Sequence, residues 1–154
     1  MKQYIHIILF VFTLISTSQA QTRKPNNIFL EVFGNAGAYS LNYDRIIHNN
    51  FSARAGMMLL PSSSKLIISV PLIMNYRFYI SNNYLETGLG ATFFSSPLNF
   101  GKLGKKTADG KIFTGVISYC LQTGSGINAK ISFTLFYFNQ EFIPYGGFSF
   151  GYSF

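Results

Sequence analysis

Hydrophobic and polar residues alternate strictly at the C-terminal end of this chain. From Tyr145 onward, aromatic residues recur at Phe148, Phe150, Tyr152 and Phe154, and the residues between them are glycine or serine. A period of two residues indicates a β-strand, whose successive side chains point to opposite faces. One face is aromatic and the other is small and polar, which is the pattern that a membrane-spanning β-barrel presents to lipid and to its own lumen.

Similar alternation recurs along the chain and predicts eight strands. Turn-forming residues separate the strands, and most of them have about ten residues or more, enough to cross a bilayer when tilted. The approximate bounds are 27–36, 38–48, 51–60, 66–79, 83–95, 111–122, 127–138 and 143–154. The one long connection is predicted between Ser95 and Gly110. The predicted fold class is therefore all-β, an eight-stranded antiparallel transmembrane β-barrel.

The N-terminal segment has the three regions of a secretory signal peptide. Lys2 is followed by an apolar stretch from Ile5 to Ile15 and then by small and polar residues that end at Ala20. The apolar stretch is too short for a transmembrane helix, which needs about 20 residues. We therefore expect a signal peptide over 1–20, cleaved after Ala20, and one barrel domain over 21–154.

The composition supports an exported membrane protein. Charged residues make up 11% of the chain, against about 25% in ordinary soluble domains, while aromatic residues reach 18%. The single cysteine, Cys120, excludes an internal disulfide framework. Dispersed apolar residues without a spanning helical segment favour strands that cross a membrane. A net charge of +7 does not indicate nucleic-acid binding, because the outer membrane offers no such target.

Alternation places six charged residues on the face opposite the lipid. They are three acids and three bases. Each lies a few residues from one end of its strand, namely the end on the same side of the barrel as the two chain termini. They are Glu31, Asp44, Arg54, Arg77, Glu86 and Lys130. Eight strands enclose a lumen just wide enough to be filled by side chains, where charges must be paired. We expect a structural salt-bridged plug near the periplasmic mouth, with Arg54 and Arg77 flanked by Asp44 and Glu86. A proton or ion relay through these residues is the alternative.

Several segments resemble the small, mostly uncharacterised outer-membrane β-barrel proteins of Gram-negative bacteria. These segments are EVFGNAGAYSLNYDRII (31–47), FSARAGM (51–57), PLIMNYRF (71–78), LETGLGATFF (85–94) and FIPYGGFSFGYSF (142–154). The resemblance implies a location in the outer membrane with both mature termini in the periplasm. It also implies that Phe150, Tyr152 and Phe154 form a C-terminal insertion signal for the barrel-assembly machinery. It supplies no catalytic residues.

Enzyme and metal chemistry have little support. The mature chain has one histidine, His48, in a predicted turn, and although Asp44 is near in sequence no serine is marked out as a nucleophile. One histidine and one cysteine do not supply a zinc site. The glycine clusters lack the strand–loop–helix context of a phosphate site. We expect no enzyme activity, no cofactor and no metal.

The long connection carries the one feature that suggests a ligand. Four lysines and one aspartate give it a local charge of about +3, and the lysines are Lys102, Lys105, Lys106 and Lys111. In the even-stranded barrel this connection is extracellular, where lipopolysaccharide phosphates are the nearest fixed anions. A solvated loop without a ligand is the alternative.

The sequence therefore predicts a non-enzymatic outer-membrane barrel in contact with membrane lipid, with an envelope structural or surface-interaction role. A small outer-membrane enzyme that modifies lipid is one alternative. A secreted barrel that binds an apolar ligand, as lipocalins do, is the other, and it would require an apolar lumen and a polar exterior.

Overall fold

The computed structural model describes residues 24–62, 65–99 and 107–154, which form one closed β-barrel. Each strand pairs antiparallel with its neighbours in the chain, and the first pairs with the last. The strands are β1 (Asn26–Phe33), β2 (Tyr39–His48), β3 (Phe51–Ser62), β4 (Lys65–Ile80), β5 (Asn83–Asn99), β6 (Thr107–Gln122), β7 (Ile127–Phe138) and β8 (Glu141–Ser153). The predicted fold class is confirmed.

Pairing of β1 with β8 closes the barrel and leaves no strand edge open. Leu30 lies opposite Phe150, and the backbone N–H of Phe154 donates to the carbonyl of Asn26 at 2.9 Å. The start of β1 and the end of β8 therefore lie at one end of the barrel, together with the turns at 49–50, 81–82 and 123–126. We call this the terminal end, and we call the opposite end the loop end.

Two short turns at the terminal end depend on residues that accept a left-handed backbone. Asn49 has a φ of 46° and Ser81 a φ of 59°. Asparagine adopts this region more readily than most residues, and such turns match the twist of paired antiparallel strands. The two-residue turns set the register of the β2–β3 and β4–β5 hairpins.

The predicted long connection at 95–110 is wrong in its bounds. Strand β5 continues to Asn99 and β6 already begins at Thr107, with Asn99 paired to Thr107. A register shift between Phe94 and Leu98 lets the pairing continue past Pro97, which has no N–H to donate. Strand β1 also ends earlier than predicted, because Phe33 has a φ of 58° and the chain leaves the ladder there.

Outward and inward side chains alternate along the strands. Exposed residues on the outer face include Leu41, Leu89 and Ile131, and the inward residues are mainly polar or charged. Aromatic rings gather near both ends of the outer face, for example Phe51 against Tyr76 at the terminal end. Such aromatic girdles are typical of barrels at the two membrane interfaces.

No helix among the described residues is long and apolar enough to cross a membrane. The predicted signal peptide, residues 1–20, lies outside the described residues.

Candidate functional site: the filled lumen

The six charged residues predicted to face the lumen are all buried inside the barrel. None of them is more than 3% exposed, and each lies within five residues of the terminal end of its strand. They come from six different strands, and each occupies an inward position of its strand. We call Glu31, Asp44, Arg54, Arg77, Glu86 and Lys130 the ionic layer.

Four members of the ionic layer form one continuous chain of ion pairs. Arg77 donates from Nη2 to Asp44 Oδ2 at 2.6 Å and from Nε to Glu86 Oε2 at 2.9 Å. Lys130 Nζ donates to Glu86 Oε1 at 3.1 Å. The guanidinium and the ammonium therefore share one carboxylate, and the chain spans the lumen from β2 through β4 and β5 to β7. Buried charges need this pairing because their desolvation is costly.

Arg54 pairs with a different carboxylate from the one expected. Its backbone partner on β2 is Asp44, but its Nη2 donates to Glu31 Oε2 on β1 at 2.5 Å, and its Nε donates to Asn42 Oδ1 at 3.1 Å. Asp44 instead accepts from Arg77. In a narrow barrel a long side chain reaches strands beyond its neighbour, so the adjacent strand alone does not identify the partner. The prediction that Asp44 and Glu86 flank both arginines is therefore correct for Arg77 and wrong for Arg54.

Two buried aromatic rings support the cations of the ionic layer. The Arg54 guanidinium lies 4.8 Å and the Lys130 ammonium 4.5 Å from the centroid of the Phe29 ring. The Arg77 guanidinium lies 4.7 Å from the centroid of Tyr84. The negative face of an aromatic ring attracts a cation, and this attraction is stronger away from water. The rings therefore fill the remaining space and hold the cations in place.

Two glycines make room for polar side chains in the lumen. A Cβ at Gly56 would collide with the amide oxygen of Asn42, and one at Gly88 would collide with the amide oxygen of Asn75. These glycines occupy inward positions, so a hydrogen replaces a side chain at points where the lumen is already full. The lumen at this level is packed by side chains.

The β1–β2 connection folds into the barrel from the loop end. Asn35 is 0% exposed, and its backbone carbonyl accepts a hydrogen bond from Thr92 Oγ1 at 2.8 Å, while its Oδ1 accepts from Thr114 Oγ1 at 3.0 Å. Its backbone N–H donates to Glu31 Oε2 at 3.3 Å. This short segment thus contacts β5 and β6 across the lumen and also contacts the ionic layer.

The loop half of the lumen holds one cluster of buried apolar side chains, together with buried polar residues such as Thr92 and Thr114. Leu60, Ile67, Phe138 and Tyr145 pack against that cluster from partly buried positions. We call its members the apolar layer: Ala36, Met58, Phe94, Ile112, Phe136 and Ile143. Neither this layer nor the inward position of Asn35 was predicted from the sequence. The sequence feature that could have indicated the inserted segment is the pair Gly34 and Gly37, which encloses Asn35 and Ala36. Both glycines have a positive φ, of 91° and 106°, a backbone conformation that glycine adopts readily.

The other predicted site residues that the structure describes lie away from the lumen. Phe150, Tyr152 and Phe154 are exposed on the outer face. Lys111 is exposed on β6 and lies over the ring of Phe113 at 5.8 Å. Lys111 is therefore part of a strand, whereas Lys102, Lys105 and Lys106 lie outside the described residues.

His48 and Asp44 do not form a catalytic pair. Asp44 is buried on the lumen side and accepts from Arg77, whereas His48 is exposed and its Nε2 lies 3.1 Å from the side-chain nitrogen of Asn49. Cys120 is buried in the lumen wall with a free thiol. Within the described ranges, no group of three or more histidine, cysteine, aspartate or glutamate side chains is placed to hold a metal ion.

No family model and no curated protein matches this chain. Among solved structures, the de novo designed protein TMB2.3 aligns with a TM-score of 0.55 at 8% identity, over 88% of this chain and 98% of that one. The outer membrane enzyme PagL aligns with a TM-score of 0.49 at 13% identity, over 83% and 97% of the two chains. The outer membrane protein AlkL aligns at 0.39 and 11% identity, over 90% and 94%. The likeness to TMB2.3 shows a common barrel fold. The resemblance to small outer-membrane barrels, inferred from the sequence, holds at the level of fold.

Proposed function

We propose that this protein is a non-enzymatic barrel of the bacterial outer membrane, with a closed lumen and a structural or surface-contact role in the envelope. The observation that carries the proposal is the inverted polarity of the barrel. Six ionisable residues are buried inside, while large apolar residues such as Leu89, at 75% exposure, face outward. A secreted lipocalin-like barrel needs the opposite arrangement. An apolar outer face of this kind is stable in contact with lipid.

Insertion of a single tryptophan tests the membrane location directly. The chain contains no tryptophan, so Leu89→Trp provides one indole in the middle of β5. In vesicles its fluorescence should be shifted to the blue and strongly quenched by lipids with brominated acyl chains. Thr123→Trp, in the exposed turn at the terminal end, is the matched control and should be quenched weakly. Equal, weak quenching of both would contradict a lipid-facing wall.

The proposed orientation places the terminal end in the periplasm. The two longest connections, 34–38 and 100–106, lie at the opposite end and support it, because outer-membrane barrels have short periplasmic turns and longer extracellular loops. An epitope inserted between Asn139 and Gln140 should be accessible to antibody on intact cells. An epitope between Ser81 and Asn82 should require permeabilisation of the outer membrane. The reverse result would invert the orientation.

The absence of enzyme activity is part of the proposal. Its support is the separation of His48 from Asp44 and the engagement of every carboxylate of the ionic layer in ion pairs. Phospholipase and acyl-transfer assays on the folded protein in lipid test it. Turnover that survives removal of detergent and is lost on unfolding would overturn it.

Lipopolysaccharide is the proposed surface contact at the loop end. Lys111 is exposed there, and its charge adds to that of Lys102, Lys105 and Lys106 in the neighbouring sequence. Glutamine at all four positions should abolish a salt-sensitive interaction with lipopolysaccharide and leave the barrel folded. Lys24→Gln, at the opposite end, is the control. Unchanged affinity in the quadruple variant would remove this ligand from the proposal.

The C-terminal strand is the proposed recognition element for the barrel-assembly machinery. Phe150, Tyr152 and Phe154 are exposed, and they form an aromatic row on the outer face of the closing strand. Phe154→Ala should slow assembly in cells more than Phe142→Ala, which removes an exposed ring at the loop end of β8. Equal assembly rates of the two variants would argue against a terminal signal.

A further inference from the structure

Arg45 is a charged side chain on the outer wall, next to the buried Asp44 in sequence but on the opposite face of β2. It is exposed and lies between Asn26 of β1 and Ala53 of β3 in the backbone register. Among the described strand residues of the terminal half, it is the one aspartate, glutamate, lysine or arginine that faces outward. No ion pair joins it to another described residue. An arginine on a lipid-facing wall is costly unless its charge is met by an anion or reaches the interface.

A shallow apolar groove begins at Arg45. It has a volume of about 460 Å³ and runs across the outer faces of β2 to β5. Its floor is formed by Ala53, Ala55 and Gly90, and Tyr43, Met74 and Leu89 form its walls. Three strand spacings of about 4.8 Å give it a length of roughly 14 Å. A hydrocarbon chain fits a feature of this length and polarity.

A second groove on the same wall lacks a charge. It has a volume of about 330 Å³ and lies around Gly115, between Phe113 and Leu135. Both grooves arise where small residues interrupt the larger apolar side chains of the wall. Arg45 therefore distinguishes the first groove from an ordinary irregularity of the surface.

We propose that this groove binds an anionic diacyl phospholipid from the leaflet at the terminal end, with its phosphate on Arg45 and one acyl chain along the groove. The inference rests on the proposed membrane location. A guanidinium forms paired hydrogen bonds with phosphate oxygens, and its aliphatic stem lies along apolar surface while the head reaches the interface. An anionic headgroup thus neutralises the charge that the wall leaves exposed.

Charge also favours lipid over a second copy of the chain as the occupant. Two barrels that met groove to groove in one membrane would be related by a two-fold axis along the membrane normal. Their Arg45 side chains would then lie at the same depth and close together. Like charges repel strongly where water is scarce.

Native mass spectrometry of the barrel from nanodiscs of equimolar phosphatidylglycerol and phosphatidylcholine tests the proposal. The wild type should retain phosphatidylglycerol in preference. Arg45→Gln should reduce that preference roughly fivefold, the worth of one basic residue near an anionic surface. Ala55→Leu, which fills the groove, should also reduce lipid retention. The matched control is Gly115→Leu in the uncharged groove, which should behave as the wild type.

Each outcome bears on a separate part of the proposal. A phosphatidylglycerol preference that survives Arg45→Gln, or that falls equally with Gly115→Leu, would overturn the site. A dimer that Ala55→Leu dissociates would replace the lipid with a second copy and would also overturn it. Failure of the wild type to enter nanodiscs would contradict the membrane location itself, which the tryptophan quenching measures independently.

Discussion

The two halves of the lumen are filled by different chemistry. In the terminal half, six ionisable side chains pair across the barrel, and two aromatic rings support their cations. In the loop half, apolar side chains pack around a segment of backbone that turns inward at Asn35. Charges can be buried where several strands supply partners at one level, whereas the loop half is closed by the volume of apolar side chains and by an inserted loop. Glu31 joins the ionic layer to the inserted segment, because it accepts from Arg54 and from the backbone N–H of Asn35.

The largest effect is expected at the centre of the ionic layer. Arg77→Ala removes from Asp44 its close ion-pair partner at 2.6 Å, so that only Lys130 at 4.0 Å is left, and it removes one of two cations from Glu86. Loss of one partner of a buried ion pair costs about 3–5 kcal/mol. Urea unfolding in lipid vesicles measures this loss. Lys111→Ala, which removes an exposed charge, should leave the unfolding midpoint unchanged, and an equal loss for both variants would deny that the ionic layer stabilises the barrel.

Adjacent methionines provide a matched pair for the loop half. Met58 is 0% exposed in the apolar layer, whereas Met57 is 51% exposed on the outer wall. Met58→Ala should lower the free energy of unfolding by about 2–5 kcal/mol, because a cavity remains in a packed core. Met57→Ala should cost much less, since lipid replaces the lost contacts. The same urea titration compares them, and a larger loss at Met57 would reverse the assignment of faces.

A smaller loss is expected where the inserted loop is held. Asn35→Ala removes the acceptor of Thr114 and leaves a buried hydroxyl without that partner. The expected cost is about 1–3 kcal/mol. Asn82→Ala, in an exposed turn at the other end, is the control and should have no measurable effect. Equal stability of Asn35→Ala and the wild type would mean that the loop is not anchored by its side chain.

Thiol reactivity reports on the two halves separately. Cys120 is 0% exposed and lies in the terminal half, beside the residue pair Lys130 and Tyr84 in the register. A water-soluble thiol reagent should label it slowly in the folded wild type and in Met58→Ala, because the ionic layer is intact. Labelling should accelerate in Arg77→Ala. Acceleration in Met58→Ala alone would show that the loop half, and not the ionic layer, protects the thiol.

The fold and the membership of the ionic layer could be predicted from the sequence for one physical reason. A charge such as Arg77 or Glu86 cannot face lipid cheaply, so the period of two decides its side of the wall. Pairing within the layer could not be predicted in full, because Arg54 reaches past Asp44 to Glu31. That choice depends on the curvature of the closed barrel, which no single strand encodes.

The apolar layer escaped prediction for a different reason. Gly34 to Gly37 has the composition of any turn, and its inward path depends on Thr92 and Thr114, which are distant in sequence. The predicted bounds of β5 and β6 were wrong because a proline such as Pro97 usually ends a strand. Here the two strands pair again beyond the register shift, so both extend further than predicted. Both features are decided by contacts between strands.

Single-channel recording in planar bilayers tests most directly whether two layers close the lumen in series. The wild type should show no stable open channel, because side chains fill a lumen of eight strands. Arg77→Ala and Phe136→Ala should each remain closed, since the other layer is still in place, and the double variant should show discrete conductance steps. Steady conductance in the wild type would contradict a closed lumen, and steps in one single variant as large as those of the double variant would show that a single layer closes it.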